Sequence, residues 1–212
     1  MRKDMPRGGG NRPLVLDAAA RKAVARAAAV IRAGGVVAFP TETVYGLAVR
    51  TGDGAARERL SGIKGRAGKR PFQVLVRSRH AALSLCGRLP ACAQKLARAF
   101  WPGPLTLVVK SRSRRWVGLR VPDHPVAAAL LRRCGGSLVA TSANLSGEKD
   151  AVTASEVVSA LGGRVDIVLD GGPAQRRKPS TVVKCDGESW SILREGAINC
   201  STIRRLLQGA DR

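Results

Sequence analysis

The amino-acid sequence predicts an α/β fold on a mixed sheet, and three observations lead there. The chain has 212 residues, 44% of them apolar, which suits one sizeable domain with a closed core and leaves two full domains cramped. Helical and strand patterns follow one another without strict βαβ alternation. The last two strand candidates lie close enough for a hairpin, so antiparallel pairing must accompany any parallel pairing.

Taken in order, Asp17 can cap an alanine-rich helix over Ala18–Ala33, ended by Gly34 and Gly35. The strand Val36–Phe39 follows, is broken by Pro40 and resumes near Val44, which puts Thr41 to Thr43 in an exposed bend at a strand end. Ala55–Lys64 reads as a helix, Gln73–Val76 as a buried strand, and Pro90–Phe100 as a helix closed by Trp101-Pro102-Gly103-Pro104. Leu105–Val109, Val117–Val121, Ser137–Ala140, Val165–Leu169, Thr181–Lys184 and Trp190–Leu193 supply the remaining strands. Helices are expected over Pro125–Arg133 and Thr153–Leu161, the second opened by a capping box of Thr153 and Glu156. The loop from Gly171 to Pro179 is long and basic enough to move over a site.

Composition narrows the function classes. There are 37 Lys plus Arg against 15 Asp plus Glu, a formal charge of +22, which calls for anionic partners. From Arg59 to Pro122 there is no acidic residue, so this stretch should form a positive surface. The five cysteines (Cys86, Cys92, Cys134, Cys185, Cys200) are odd in number and scattered, with only two histidines to help. That argues against a zinc cage or disulfide framework and reads as reduced, mostly buried thiols. No apolar run reaches the roughly 20 residues that span a bilayer, and no signal-peptide core is apparent. A soluble, cytoplasmic protein without membrane contact is expected. Residues 1–12, with Gly8-Gly9-Gly10 and four basic side chains, read as a flexible basic tail, leaving residues 13–212 as the domain.

The chemistry sits in short runs that place hydroxyls, then cations, where core packing asks for neither. Phe39-Pro40-Thr41-Glu42-Thr43-Val44-Tyr45-Gly46-Leu47 is the first, and Lys64-Gly65-Arg66 follows, with Arg70 beyond it. Lys64, Arg66 and Arg70 fall on a Gly-containing connector after a helix, where backbone and cations can approach phosphates closely. Ser142-Ala143-Asn144 again sets small polar groups at a strand end; such groups can bond carboxylate or phosphate oxygens without filling a cleft. Arg120 stands amid Val117, Leu119 and Val121, and offers a planar, permanently charged fork suited to a carboxylate. Ser180-Thr181-Val182-Val183 opens a strand, and Arg194 lies in Ile192-Leu193-Arg194-Glu195-Gly196-Ala197-Ile198. No protein nucleophile is evident: Gly-x-Ser-x-Gly is absent, and His80 and His124 lack Ser–His–Asp neighbours.

Together these runs resemble the YrdC/Sua5 family of threonylcarbamoyl-AMP synthases, over roughly Leu14 to Ile198. The resemblance implies a YrdC-like single domain: a twisted mixed parallel and antiparallel sheet flanked by helices, with a basic concave cleft. It implies a nucleotidyltransferase in which the threonine amine captures bicarbonate or CO2 and the resulting carboxylate attacks the α-phosphate of ATP. Threonylcarbamoyl-AMP and pyrophosphate would result, serving t6A modification of tRNA. By resemblance the catalytic groups are Lys64, Arg66, Ser142 and Asn144. ATP falls to Lys64, Arg66, Arg70, Asn144, Thr153 and Arg194, and L-threonine to Thr43, Arg120, Ser142 and Ser180, with Thr41 and Tyr45 shaping the pocket. Magnesium would arrive with ATP, with no prosthetic group and no protein metal site. The t6A transferase machinery would take the product. Ala67, Leu75 and Trp116 depart from the family pattern.

A second reading is a YciO-like member of the same fold that binds tRNA or double-stranded RNA without synthase activity, through the acid-free stretch. Such binding would be strongly salt-dependent. Aromatics make up only 3% of the chain, so it would follow backbone and shape rather than base stacking.

Overall fold

The computed structural model describes residues 12–65 and 71–209. Arg66 and Arg70 lie outside the described residues, as does the expected tail apart from Arg12. Among the described residues one ten-stranded sheet carries seven α-helices.

The chain opens with strand β1 (Leu14–Asp17), which the sequence did not suggest, and helix α1 then begins at Ala23 and ends at Arg32. Asp17 therefore does not cap α1. It ends a strand paired in parallel with a later one, and its carboxylate accepts instead from the amide of Ala19 at 2.9 Å, closing a turn. β2 (Val37–Phe39) and β3 (Gly46–Arg50) pair antiparallel across the Pro40 to Tyr45 bend. α2 (Gly54–Ile63) starts where the Asp53 carboxylate accepts from Ala56 N–H at 3.0 Å, and Lys64 stands at its C-terminal cap. β4 (Gln73–Val76) follows. α3 (Arg79–Cys86), capped by Ser78, is short and was not foreseen. α4 (Ala91–Phe100), β5 (Leu105–Lys110), β6 (Trp116–Arg120) and α5 (Pro125–Arg133) lie where the sequence placed them.

β7 (Ser137–Ser142) extends to include the first serine of the Ser-Ala-Asn run. α6 (Ala154–Leu161) has the expected capping box: Thr153 Oγ1 accepts from Glu156 N–H at 3.2 Å, and Glu156 accepts from the Thr153 amide. β8 (Ile167–Asp170), β9 (Thr181–Asp186) and β10 (Ser189–Arg194) complete the sheet, the last two as an antiparallel hairpin. α7 (Cys200–Gln208), also unforeseen, closes the description.

The strand order is β1-β8-β2-β3-β7-β4-β6-β5-β9-β10, with parallel and antiparallel pairs interspersed. Helices cover one face on both halves of the sheet: α2 and α6 pack on Val36, Ala38, Leu47 and Val49, while α3, α4 and α7 pack on Leu105, Leu107, Leu119 and Val183. On the other face α1 and α5 cover only the half made by β8, β2, β3 and β7. The opposite half, where β4, β6, β5 and β9 turn Gln73, Gly118, Arg120, Thr106, Val108 and Val182 outward, is left as the floor of a cleft. The registers put these residues on one face: Gln73 opposes Gly118, Val108 opposes Gly118 and Lys184, and Thr106 opposes Val182.

Candidate active site

The cleft has a volume of about 440 Å³, within the roughly 300–1,000 Å³ usual for small-molecule pockets. Its buried lining includes the polar Thr41, Thr43, Thr106, Arg120 and Ser180, and most of its partly exposed walls are apolar. Thr41, Thr43, Arg120, Ser142, Ser180 and Arg194 all line it, so the structure gathers side chains separated by up to about 150 positions into one site. Phe72, Val108, Gly118, Val182, Leu193 and Trp116 also line it, with Lys184 Nζ 4.2 Å and Lys110 Nζ 5.2 Å from the Trp116 ring centre.

The bend from Thr41 to Thr43 is buried rather than exposed, its three residues at 3%, 2% and 0%. The loop that follows β8 lies over it: Arg176 N–H donates to Glu42 O at 2.9 Å, and Tyr45 Oη donates to Gly172 O at 2.8 Å. Within the bend Thr41 Oγ1 donates to Val44 O at 2.6 Å and stands 2.8 Å from Thr43 Oγ1, which fixes both hydroxyls. Tyr45 is fully buried with its hydroxyl satisfied, as a core aromatic is, while its ring borders the cleft.

Arg120 is not on a sheet edge. β6 lies between β4 and β5, and Arg120 is buried at 3%. Its Nε donates to Gly103 O at 3.1 Å, and Nη2 donates to Glu42 Oε1 at 2.7 Å and Thr43 Oγ1 at 2.8 Å. Gly103 must be glycine here, since its φ is +155° and a Cβ would come within 2.7 Å of Phe100 O. Sequence reasoning missed Glu42 as the partner of Arg120. It also missed Thr106, whose Oγ1 stands 2.8 Å from Ser180 Oγ and donates to Gln73 Oε1 at 2.9 Å. Three strands separate Glu42 from the strand of Arg120, and three separate the strand of Thr106 from Ser180, and no local signal gives their order.

Arg194 folds back on the strand entry, with Nε and Nη2 donating to Ser180 O at 3.1 and 2.7 Å and Nη2 reaching Ser180 Oγ at 3.2 Å. Burial lowers its pKa from the ordinary arginine value; Asp150 opposes that shift and the nearby Arg120 charge adds to it.

Lys64 and Asn144 form an adjoining cluster behind the cleft wall. The Lys64 ammonium is buried at 1% and donates to Ser142 O at 2.9 Å, to Asn144 Oδ1 at 2.6 Å and to Asn144 O. Ser142 Oγ donates to the same Oδ1 at 2.6 Å, and Asn144 Nδ2 donates to Glu148 O at 2.6 Å. Lys64 thus clamps the Ser-Ala-Asn turn, and neither it nor Asn144 lines the cleft. Thr153 is likewise outside the lining, its hydroxyl occupied as the α6 cap. Among the described residues no carboxylate lines the cleft, and no group of three or more His, Cys, Asp or Glu is placed to hold a metal.

The Sua5_yciO_yrdC family model, described as telomere recombination, matches residues 29–196. The chain belongs to this Sua5/YrdC family. Among its relatives, the threonylcarbamoyl-AMP synthase of Thiobacillus denitrificans is 41% identical over 78% of this chain and 92% of that protein. The structure of Pyrococcus abyssi Sua5 complexed with L-threonine superposes with a TM-score of 0.82 at 33% identity, covering 86% of this chain. The present chain spans only 56% of that longer protein. Escherichia coli YciO shares the fold, with a TM-score of 0.76 at 24% identity over 90% of this chain. The mixed sheet flanked by helices is thus the architecture of the family. No helix among the described residues is long and apolar enough to cross a membrane.

Proposed function

We propose that this Sua5/YrdC-family chain is an L-threonylcarbamoyladenylate synthase, a nucleotidyltransferase acting on L-threonine, bicarbonate or CO2, and ATP. The observation that carries the reading is the guanidinium of Arg120. Three of its N–H groups are spent on Gly103, Glu42 and Thr43, and Nη1 carries no bond to the described residues although Arg120 lines the cleft. A buried cation with two N–H groups unpartnered among the described residues, beside the hydroxyls of Thr43, Ser142 and Ser180, suits the carboxylate and hydroxyl of a small amino acid. The related Pyrococcus abyssi Sua5, whose structure holds L-threonine, supports the same choice.

ATP is assigned to the rest of the cleft. Arg194 lies beside Ser180, and the apolar walls of Phe72, Val108, Val182, Leu193 and Trp116 suit a planar base. Arg66 and Arg70 are proposed as the phosphate cations. Lys64 and Asn144 are proposed to act near the phosphates by holding the Ser142 turn, and Thr153 by capping the helix beside it. Magnesium is proposed to come as the counter-ion of ATP, a choice that fits a cleft lined, among the described residues, by hydroxyls and arginines rather than carboxylates.

The chemistry balances without a protein nucleophile. The threonine nitrogen bonds to the carbon of CO2 and loses a proton. One carboxylate oxygen then bonds to the α-phosphorus, and the bond from that phosphorus to the β-phosphate bridge breaks, releasing pyrophosphate. The protein supplies orientation and positive charge where phosphate charge develops. The product is proposed to pass to the t6A machinery that modifies tRNA, in the cytoplasm. Threonine-dependent release of pyrophosphate from Mg-ATP by folded protein tests the reading. Salt-sensitive RNA binding with no such turnover would favour the YciO-like alternative.

A further inference from the structure

We propose that Glu42 is a positioning residue for amino-acid recognition: it acts through Arg120, holding the guanidinium so that Nη1 faces the cleft. This rests on the assignment of the buried part of the cleft to an amino-acid carboxylate. Arg120 Nη2 is shared between Glu42 Oε1 at 2.7 Å and Thr43 Oγ1 at 2.8 Å, while Nε is held by Gly103 O at 3.1 Å. Those three bonds fix both the plane of the guanidinium and its rotation within that plane. Without Glu42, Thr43 and Gly103 alone would leave the fork free to tilt toward either acceptor.

The pair is a poor choice for stability. Its side chains are only 4% and 3% exposed, the contact uses one carboxylate oxygen, and Glu42 Oε2 is buried with no partner among the described residues. Burying a charged pair costs desolvation that apolar residues of the same size avoid, and a buried oxygen without a partner adds to that cost. Two parallel bonds from an arginine fork would have satisfied both carboxylate oxygens. The single-oxygen contact instead leaves Nη1 for a ligand. Glu42 itself is outside the cleft lining, so it touches the guanidinium and not the ligand.

The test is binding to the intact protein of L-threonine and of L-threonine amide, which lacks the carboxylate charge, measured by calorimetry for wild type, Glu42→Ala, Glu42→Gln and Arg120→Met. Wild type should prefer threonine to its amide by roughly tenfold or more, the scale of a charge-assisted hydrogen bond. Glu42→Ala should lose most of that preference while binding the amide about as wild type does. Glu42→Gln, which keeps the shape and one acceptor, should lose less and guards against a failure of the alanine variant to fold. Adding Glu42→Ala to Arg120→Met should change the preference no further, because Glu42 acts through Arg120. A Glu42→Ala protein that keeps the full preference, or loses threonine and amide equally, overturns the proposal alone. Wild-type protein that binds neither ligand overturns it together with the assignment it rests on.

Discussion

Tyr45 is the one tyrosine in the chain, so its ionisation can be read without interference from any other phenol. Its hydroxyl donates to Gly172 O at 2.8 Å, accepts from Gly171 N–H at 3.3 Å and stands 3.4 Å from Asp170 Oδ1. Burial pushes its pKa up to about 12; the Gly171 amide opposes the shift, while the charge and the hydrogen bond of Asp170 add to it. An acid whose pKa is raised on folding leaves stability unchanged while both states are protonated, below about pH 10. Between about pH 10 and 12 the unfolded chain gives up the proton and the folded one keeps it, so stability falls with rising pH. At about 1.4 kcal/mol per pH unit the loss reaches about 2–3 kcal/mol. Tyrosinate absorbance should therefore show a midpoint near 12 in the native protein and near 10 in concentrated urea. The extra loss of stability in this window should be missing in Tyr45→Phe. A native midpoint near 10 would mean that water reaches the hydroxyl. The loop after β8 would then not be fastened over the Thr41 to Thr43 bend as the structure has it.

Replacing Arg66 with Ala should lower ATP use at least roughly tenfold, the loss of one charge-assisted phosphate contact. Arg112→Ala should leave turnover nearly unchanged, because its Nε is engaged with Ser84 O at 3.1 Å outside the cleft; equal losses would assign activity to general surface charge. Thr153→Ala should cost about 1 kcal/mol in chemical denaturation through the lost α6 cap, and an unchanged denaturation midpoint would contradict the capping geometry. The pocket of Thr43, Arg120, Ser142 and Ser180 should use serine better than valine, because valine leaves a buried polar group unpaired while serine forfeits only a methyl contact. Comparing kcat/KM for the three amino acids decides this, and valine used as well as threonine would remove these residues from hydroxyl recognition.

Much of the fold was legible because its elements carry local signals. Pro125 at the start of α5 and the Thr153–Glu156 box mark helix starts that need no tertiary context. β1 was hidden because Leu14 and Val15 are exposed and the strand exists only by pairing with β8, some 150 residues on. The site was legible as a set of residue types and hidden as a set of contacts. Thr43, Arg120, Ser142, Ser180 and Arg194 could be named from their runs, and they do share one cleft. That Arg120 is anchored by Glu42, and that Lys64 clamps the Ser142 turn, follows from strand order, which no run encodes. The expected exposure of the Thr41 to Thr43 bend failed for the same reason: its cover comes from the loop after β8.

The central claim is that this cleft joins threonine, CO2 and ATP. The most direct measurement incubates the folded protein with radiolabelled bicarbonate, L-threonine and Mg-ATP and separates the products by chromatography. The account predicts a labelled AMP adduct that forms only when threonine is present, with pyrophosphate released in equal amount. Pyrophosphate release that ignores threonine, or no labelled adduct from protein shown to be folded, would contradict it.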